Sequence, residues 1–154
     1  MVKPTESELT IRAMQVDDVP SVFDIERESF NDSSWTIDAF YHELNENHFA
    51  KYFVIIFQNE IIGYLGVWIV IDQAQITTVA IRKDYRGYGL GQLLLKYVMD
   101  YARHTCEVMS LEVRVTNVVA QHVYTNLGFQ FGGKRKNYYG EDEDALVMWV
   151  NLNE

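Results

Sequence analysis

Three short stretches carry residues able to do chemistry. In VMSLEVRV, residues 108–115, apolar and polar side chains alternate. As a strand this puts Met109, Leu111, Val113 and Val115 on one face and Ser110, Glu112 and Arg114 on the other. A carboxylate on the polar face of a helix-covered sheet is either ion-paired or functional. Arg114 is the ready partner; proton abstraction is the ready function. The residues alone leave both open. Asn117 follows the strand and can cap the next helix. Tyr124 comes two turns later, about 10 Å away, with Ala120 on the same side between them. Such a stripe has room for a thin chain whose amides Asn can pair. The plainer reading is a cap and a half-buried core tyrosine.

The second stretch is RGYGLG, residues 86–91, with glycines at 87, 89 and 91. It joins the strand-like TTVAI to a Leu-rich helical run. A helix N-terminus offers free N–H groups and the positive dipole end, so it attracts phosphate. Glycines let the backbone approach an anion closely. A plain tight turn needs fewer glycines, and Arg82, Lys83 and Arg86 flank this one. A nucleoside-triphosphate loop is excluded, because no Lys-Ser or Lys-Thr follows. A dinucleotide fingerprint fits poorly: its third glycine would fall at position 92, which is Gln.

These residues need a scaffold. LTIRAM reads as a first strand. Asp17 or Asp18 can cap a helix over VPSVFDIERESF, with Pro20 in its first turn. Ser34 or Thr36 starts a second helix over IDAFYHELNEN. AKYFVIIF and IIGYLGVWIVID, split by Gln58-Asn59-Glu60, read as an antiparallel hairpin. AQITTVAI is a third strand, leading into the glycines. Leu90, Leu94, Tyr97, Val98 and Tyr101 then recur at helical spacing. VVAQHVYTNLGF reads as a short helix closed by Gly128. The tail, FQFGGKRKNYYGEDEDALVMWVNL, reads as two strands around a loop. The sum is an α/β or α+β domain, a mixed sheet with helices on both faces.

The 154 residues are 48% hydrophobic and carry a formal net charge of −9. No repeat, low-complexity segment or linker divides them, so residues 1–154 are expected to form one domain, with 1–8 a frayed terminus. The acidic balance argues against nucleic acid; it either steers cationic partners in or only keeps the protein soluble, and charge alone weighs toward the second. No apolar run reaches the length of a membrane span, and MVKPTESE lacks a signal peptide's apolar core. One cysteine, Cys106, excludes an internal disulfide, consistent with a cytoplasmic location. His104 is near Cys106, but no glycine elbow or fixed partner marks a nucleophile, so Cys106 is expected to be an inert packing thiol. His42, His48, His104 and His122 lack zinc spacing, read as surface or loop residues, and imply no metal.

Arg86-x-x-Gly89-x-Gly91 after VAI resembles the pyrophosphate loop of the GNAT superfamily of acetyl-CoA-dependent N-acetyltransferases. LEVRVTNVVAQHVYTNLGF and RKNYYGEDEDALVMWV resemble the later segments of its RimI-type branch, the ribosomal-protein N-terminal alanine acetyltransferases. The resemblance runs from LTIRAM to WVNL. It implies a GNAT fold, a mixed, mostly antiparallel sheet of about seven strands flanked by about four helices. It implies acetyl-CoA as acetyl donor, bound by Val79, Ala80, Ile81, Arg86, Gly87, Tyr88, Gly89, Leu90, Gly91, Gln92, Asn117 and Tyr124. It implies Glu112 as general base and Tyr124 as the acid beside the sulfur. Trp35, Tyr138 and Tyr139 would border the peptide groove, although relatives carry Pro-Trp where this chain has Ser34-Trp35.

That chemistry suits a chain terminus. At pH 7.5 roughly a quarter of α-amines are neutral, against about one lysine in a thousand. A modest base such as Glu112, directly or through a water, then suffices. The developing oxyanion needs an N–H donor, which the Val79–Ile81 strand could supply. The expected acceptor is the basic N-terminus, alanine first, of a small-subunit ribosomal protein. Glu141 to Asp144 could attract it or form a solvated turn. The alternatives are a small-amine acceptor or a non-catalytic coenzyme-A-binding module.

Overall fold

The computed structural model describes residues 4–29, 36–140 and 143–153, with backbone alone at 134–140 and 143. In chain order the elements are β1 (Leu9–Ala13), α1 (Val19–Ser29), α2 (Ile37–Glu46), β2 (Ala50–Phe57), β3 (Glu60–Val70), β4 (Gln73–Ile81), α3 (Leu90–Arg103), β5 (Val108–Arg114), α4 (Val118–Asn126), β6 (Gln130–Gly140) and β7 (Glu143–Asn151). The strands form one seven-stranded sheet in the order β1-β2-β3-β4-β5-β7-β6. Neighbours run antiparallel except β4 and β5, which are parallel. Strand and helix order match the sequence pattern.

Local chemistry explains most boundaries. The β2–β3 turn has Gln58 at φ 52° and Asn59 at φ 65°, two left-handed residues suited to a tight hairpin. Glu60 already belongs to β3. The Thr36 hydroxyl accepts from Ala39 N–H at 3.1 Å and opens α2. Asp18, expected to cap α1, does something else. Its carboxylate takes Arg12 at 2.6 and 3.0 Å and the Gln15 N–H at 2.7 Å, closing a 3-10 turn before the helix. Residues 5–8, expected to fray, also include a 3-10 turn. There Glu8 accepts from both the N–H and the hydroxyl of Thr5.

The sheet separates two cores. On one face, Leu65, Val67, Met109, Leu111 and Met148 pack with Leu90, Leu94, Leu95 and Val98 of α3. Ala120 and Tyr124 of α4, and Leu127 just past its end, join them. Tyr97 and Tyr101, expected on the apolar stripe, are each 41% exposed and meet Phe53 edge-on at its margin. On the other face, Val22 and Ile25 of α1 and Phe40 of α2 pack on Val54, Tyr64 and Ala80.

One irregularity shapes the site. The β3–β4 register passes from Gly66↔Thr78 to Val67↔Ile76, so Thr77 is an extra, bulged residue. Before the bulge Ala74 and Ile76 face α3; after it Val79 and Ile81 do, and Ala80 turns to α1 and α2. The parallel β4–β5 ladder spans Gln73↔Val108 to Gln75↔Ser110 and stops just short of the bulge. Beyond it the facing backbone edges of β4 and β5 do not pair with each other.

Candidate active site

The glycine loop is tied down at its start. Tyr85 is buried against Phe57, with ring centroids 5.9 Å apart, and anchors the loop's start. The Arg82 N–H donates to Ile62 O at 2.8 Å. Arg86 Nε donates to Ile81 O at 3.0 Å and Nη2 to Ser29 Oγ at 3.1 Å, tying the loop back to β4 and to α1. The Lys83 N–H reaches Glu28 at 3.2 Å. The Arg86 side chain therefore braces the loop from behind.

Gly87 and Gly89 sit at φ +85° and +76°, a region that strongly favours glycine. A Cβ on either would meet no atom within 4 Å, so open space lies beside both. Gly89 precedes α3 and brings no side-chain cap to the first-turn N–H groups of Leu90, Gly91 and Gln92. Gly91 is different: a Cβ there would make ordinary contact with Ile81 at 3.8 Å.

Glu112 stands in β5 opposite Val147, beyond the last β4–β5 rung, half-buried between Leu111 and Val113 on the opposite face. Val115, expected to share their face, lies past the strand and is 37% exposed. Asn117 caps α4, its side chain accepting from Ala120 N–H at 3.1 Å. At the other end, Phe129 N–H bonds Tyr124 O and Gly128 N–H bonds Thr125 O, each at 3.0 Å, with Gly128 at φ +99°. This double closure folds Phe129 back onto Tyr124, ring centroids 5.9 Å apart. Tyr124 is thus half-buried and held in place by the very end of its helix.

The α1/α2 face hides acids that composition does not announce. Glu26 and Glu43 are 5% and 8% exposed. Tyr64 donates to Glu26 and also lies 3.4 Å from the Thr78 hydroxyl. Tyr52 donates to Glu43 at 3.2 Å and Trp68 Nε1 at 2.7 Å. Burial, then the nearby carboxylates, pushes both tyrosine phenols well above their ordinary range, so both stay protonated donors. The signal was present in the sequence: Glu26 lies four residues after Val22, and Glu43 three after Phe40, on the apolar stripes of their helices.

The description of the acetyltransferase (GNAT) family matches residues 19–129. The chain belongs to the GNAT family. It is 46% identical over 151 residues to a Bacillus subtilis (strain 168) protein named "putative ribosomal protein bS18-alanine N-acetyltransferase", covering 97% of this chain and 99% of that one. It is 28% identical to the ribosomal protein bS18-alanine N-acetyltransferase of Escherichia coli (strain K12), over 94% and 98% of the two chains. The crystal structure of the Escherichia coli ribosomal-protein-S18-alanine N-acetyltransferase superposes with a TM-score of 0.84 at 27% identity, covering 94% of each chain. Ard1 from Thermoplasma volcanium shares the fold, with a TM-score of 0.85 at 23% identity, over 96% and 99% of the chains. The expected GNAT fold is thus borne out, and the chain is an acyltransferase.

GNAT acetyltransferases use acetyl-CoA. The loop fits its diphosphate: open space beside two left-handed glycines, and a helix start whose N–H groups lack a cap. Val79, Ala80 and Ile81 lie on the part of β4 that β5 does not cover. Trp35 is outside the described residues, as are the side chains of Tyr138 and Tyr139. Their backbone lies where the β6–β7 register jumps from Arg135↔Ala145 to Gly140↔Glu143. Cys106 is buried in the α3-side core, as a packing thiol should be. All four histidines are exposed. No helix among the described residues is long and apolar enough to cross a membrane.

Proposed function

We propose that this chain moves acetyl from acetyl-CoA to the N-terminal α-amine, alanine first, of a ribosomal protein in the cytoplasm. The observation that carries the proposal is the parting of β4 and β5 after Gln75↔Ser110, with Glu112 two residues beyond on β5. The names of the Bacillus and Escherichia relatives support the acceptor.

Acetyl-CoA supplies an activated acyl thioester. Gly87, Tyr88, Gly89, Leu90, Gly91 and Gln92 are read as the diphosphate cradle, held from behind by Arg86. The edge of Val79–Ile81 that β5 leaves uncovered, apart from Ile81 O, which accepts from Arg86, offers N–H and C=O groups to the amides of the donor's arm and an N–H to the developing oxyanion. Asn117 and Tyr124 line the opposite side. Glu112 takes the proton the attacking amine loses, directly or through one water. Tyr124 gives a proton to the departing sulfur. One C–N bond forms, one C–S bond breaks, and the products are an amide and a thiol. An α-amine has pKa near 8, so a carboxylate base suffices where lysine would demand more. The acidic surface, net −9, favours a basic N-terminus over nucleic acid. Trp35, Tyr138 and Tyr139 are read as the groove for the acceptor's first residues.

The test is a panel of N-terminal peptides, with spermidine beside them, assayed with acetyl-CoA for thiol release and product mass. Acetylation of the α-amine of an Ala-first ribosomal peptide is expected. Turnover of spermidine alone would move the acceptor to small amines, and tight acetyl-CoA binding without any turnover would leave a coenzyme-A-binding module.

A further inference from the structure

We infer that the Thr78 hydroxyl, oriented by Tyr64 and Glu26, is a binding group for the acceptor's amine, facing Glu112 across the gap between β4 and β5. This rests on the acetyltransferase reading above and extends it on the acceptor side.

The placement follows from register. Gln75 and Ser110 form the last rung of the parallel ladder and share a face. Two residues along β5 from Ser110 comes Glu112, on that same face. Along β4 the bulge consumes Thr77, so the matching position is Thr78. Thr78 pairs with Gly66, two residues from Tyr64, and so shares the face that carries α1 and α2. A regular strand would have turned Thr78 toward α3. The bulge therefore sets a hydroxyl opposite the carboxylate at the mouth of the gap. Thr78 itself is half-buried, with part of its surface open.

The direction of hydrogen bonding follows from the donor inventory. As a carboxylate Glu26 only accepts, so Tyr64 donates to it. With the phenol proton committed, a bond across the long 3.4 Å contact between Tyr64 and Thr78 can run only from the Thr78 hydroxyl to Tyr64 Oη. The Thr78 proton is then turned toward Tyr64, and its oxygen lone pairs are left for a donor. An amine N–H is such a donor; the carbonyl of a thioester, which only accepts, is not. The chain Glu26–Tyr64–Thr78 thus presents an acceptor to the incoming amine and leaves the nitrogen lone pair aimed elsewhere. Thr78 is a binding group, with Tyr64 and Glu26 as positioning residues.

Thr78→Val keeps the shape and leaves the Tyr64–Glu26 bond intact; Thr78→Ser keeps the hydroxyl. With the full chain, acetyl-CoA and an Ala-first peptide, Thr78→Val should raise the peptide KM about tenfold. The acetyl-CoA KM and the melting temperature should not move, and Thr78→Ser should restore the peptide KM. Tyr64→Phe should reproduce the peptide defect. A Thr78→Val enzyme with wild-type peptide KM, or with equal changes in both KM values, overturns the inference. If the wild type turns over no peptide, the acetyltransferase reading falls and this one falls with it. If the wild type is active and the valine variant matches it, this one falls alone.

Discussion

On the α3/α4 face of the sheet Leu65, Val67, Leu94, Leu95, Val98, Met109 and Met148 belong to a wholly apolar cluster, and among the described residues the buried carboxylates, those of Asp18, Glu26 and Glu43, lie elsewhere. On the α1/α2 face, Val22, Ile25, Phe40 and Val54 share their space with Glu26, Glu43, Tyr52 and Tyr64. Under the proposed function, the difference follows from what each side would bind. A diphosphate is gripped by backbone N–H groups, so the donor side needs a stiff hydrocarbon base that fixes the loop and the start of α3. An amine must be met by acceptors at defined angles, and acceptors come from side chains. Setting carboxylates in a core costs stability unless each is hydrogen-bonded, which is why Glu26 and Glu43 are covered by phenol and indole donors.

The comparison can be broken at several points. The largest effect belongs to the cradle. Gly89→Val forces a β-branched residue to φ +76° and fills the open space beside the loop. Acetyl-CoA binding measured by calorimetry should vanish while near-UV circular dichroism stays native. Retained affinity would show that the donor does not use this loop. On the acceptor side, Glu112→Gln should lower kcat by about 10²–10⁴-fold with acetyl-CoA affinity unchanged. The loss should be deepest at low pH, where least amine is neutral. Normal turnover across pH would remove Glu112 as the base.

The two cores should also differ in stability. Leu94→Ala empties a fully buried position and should cost about 2–5 kcal/mol in urea unfolding. Tyr64→Phe should cost less, about 1–3 kcal/mol, nearly all from leaving Glu26 without its donor. A reversed order would mean that the polar core carries more of the fold than its size suggests. The smallest effect lies at the edge of the α1/α2 face. Hydrogen bonding to Arg12 holds the Asp18 carboxyl below its ordinary pKa. Its contribution is therefore complete above about pH 4 and is lost as acid protonates the folded form. Asp18→Asn should flatten that part of the stability–pH curve, as followed by thermal melts from pH 2 to 6.

Much of the candidate site was legible because its signals are short-ranged. The alternation of Met109 to Arg114 placed Glu112 on a polar face before any fold was known. Asn117 and Gly128 marked both ends of α4, and Gly128 also accounts for the way Phe129 clamps Tyr124. Asp18 was misread because its local preference to cap a helix lost to a charged partner, Arg12, six residues upstream. Arg86 was expected, by resemblance, among the residues that hold the cofactor. What the sequence did not show is that its guanidinium bonds Ser29, 57 residues away, and braces the loop.

The sequence by itself determined the order of the elements, the faces of β5, the turn at Gln58-Asn59 and the glycines at 87 and 89. Each is written in neighbours or in a period of two or 3.6 residues. Tertiary structure alone decided where β4 bulges, how far it pairs with β5, and which acids are buried. Tyr64 and Glu26 meet across 38 residues of chain, and Gln75 and Ser110 across a whole helix. Such pairings arise when helices and strands compete for the same faces of a sheet, and no local pattern encodes that competition.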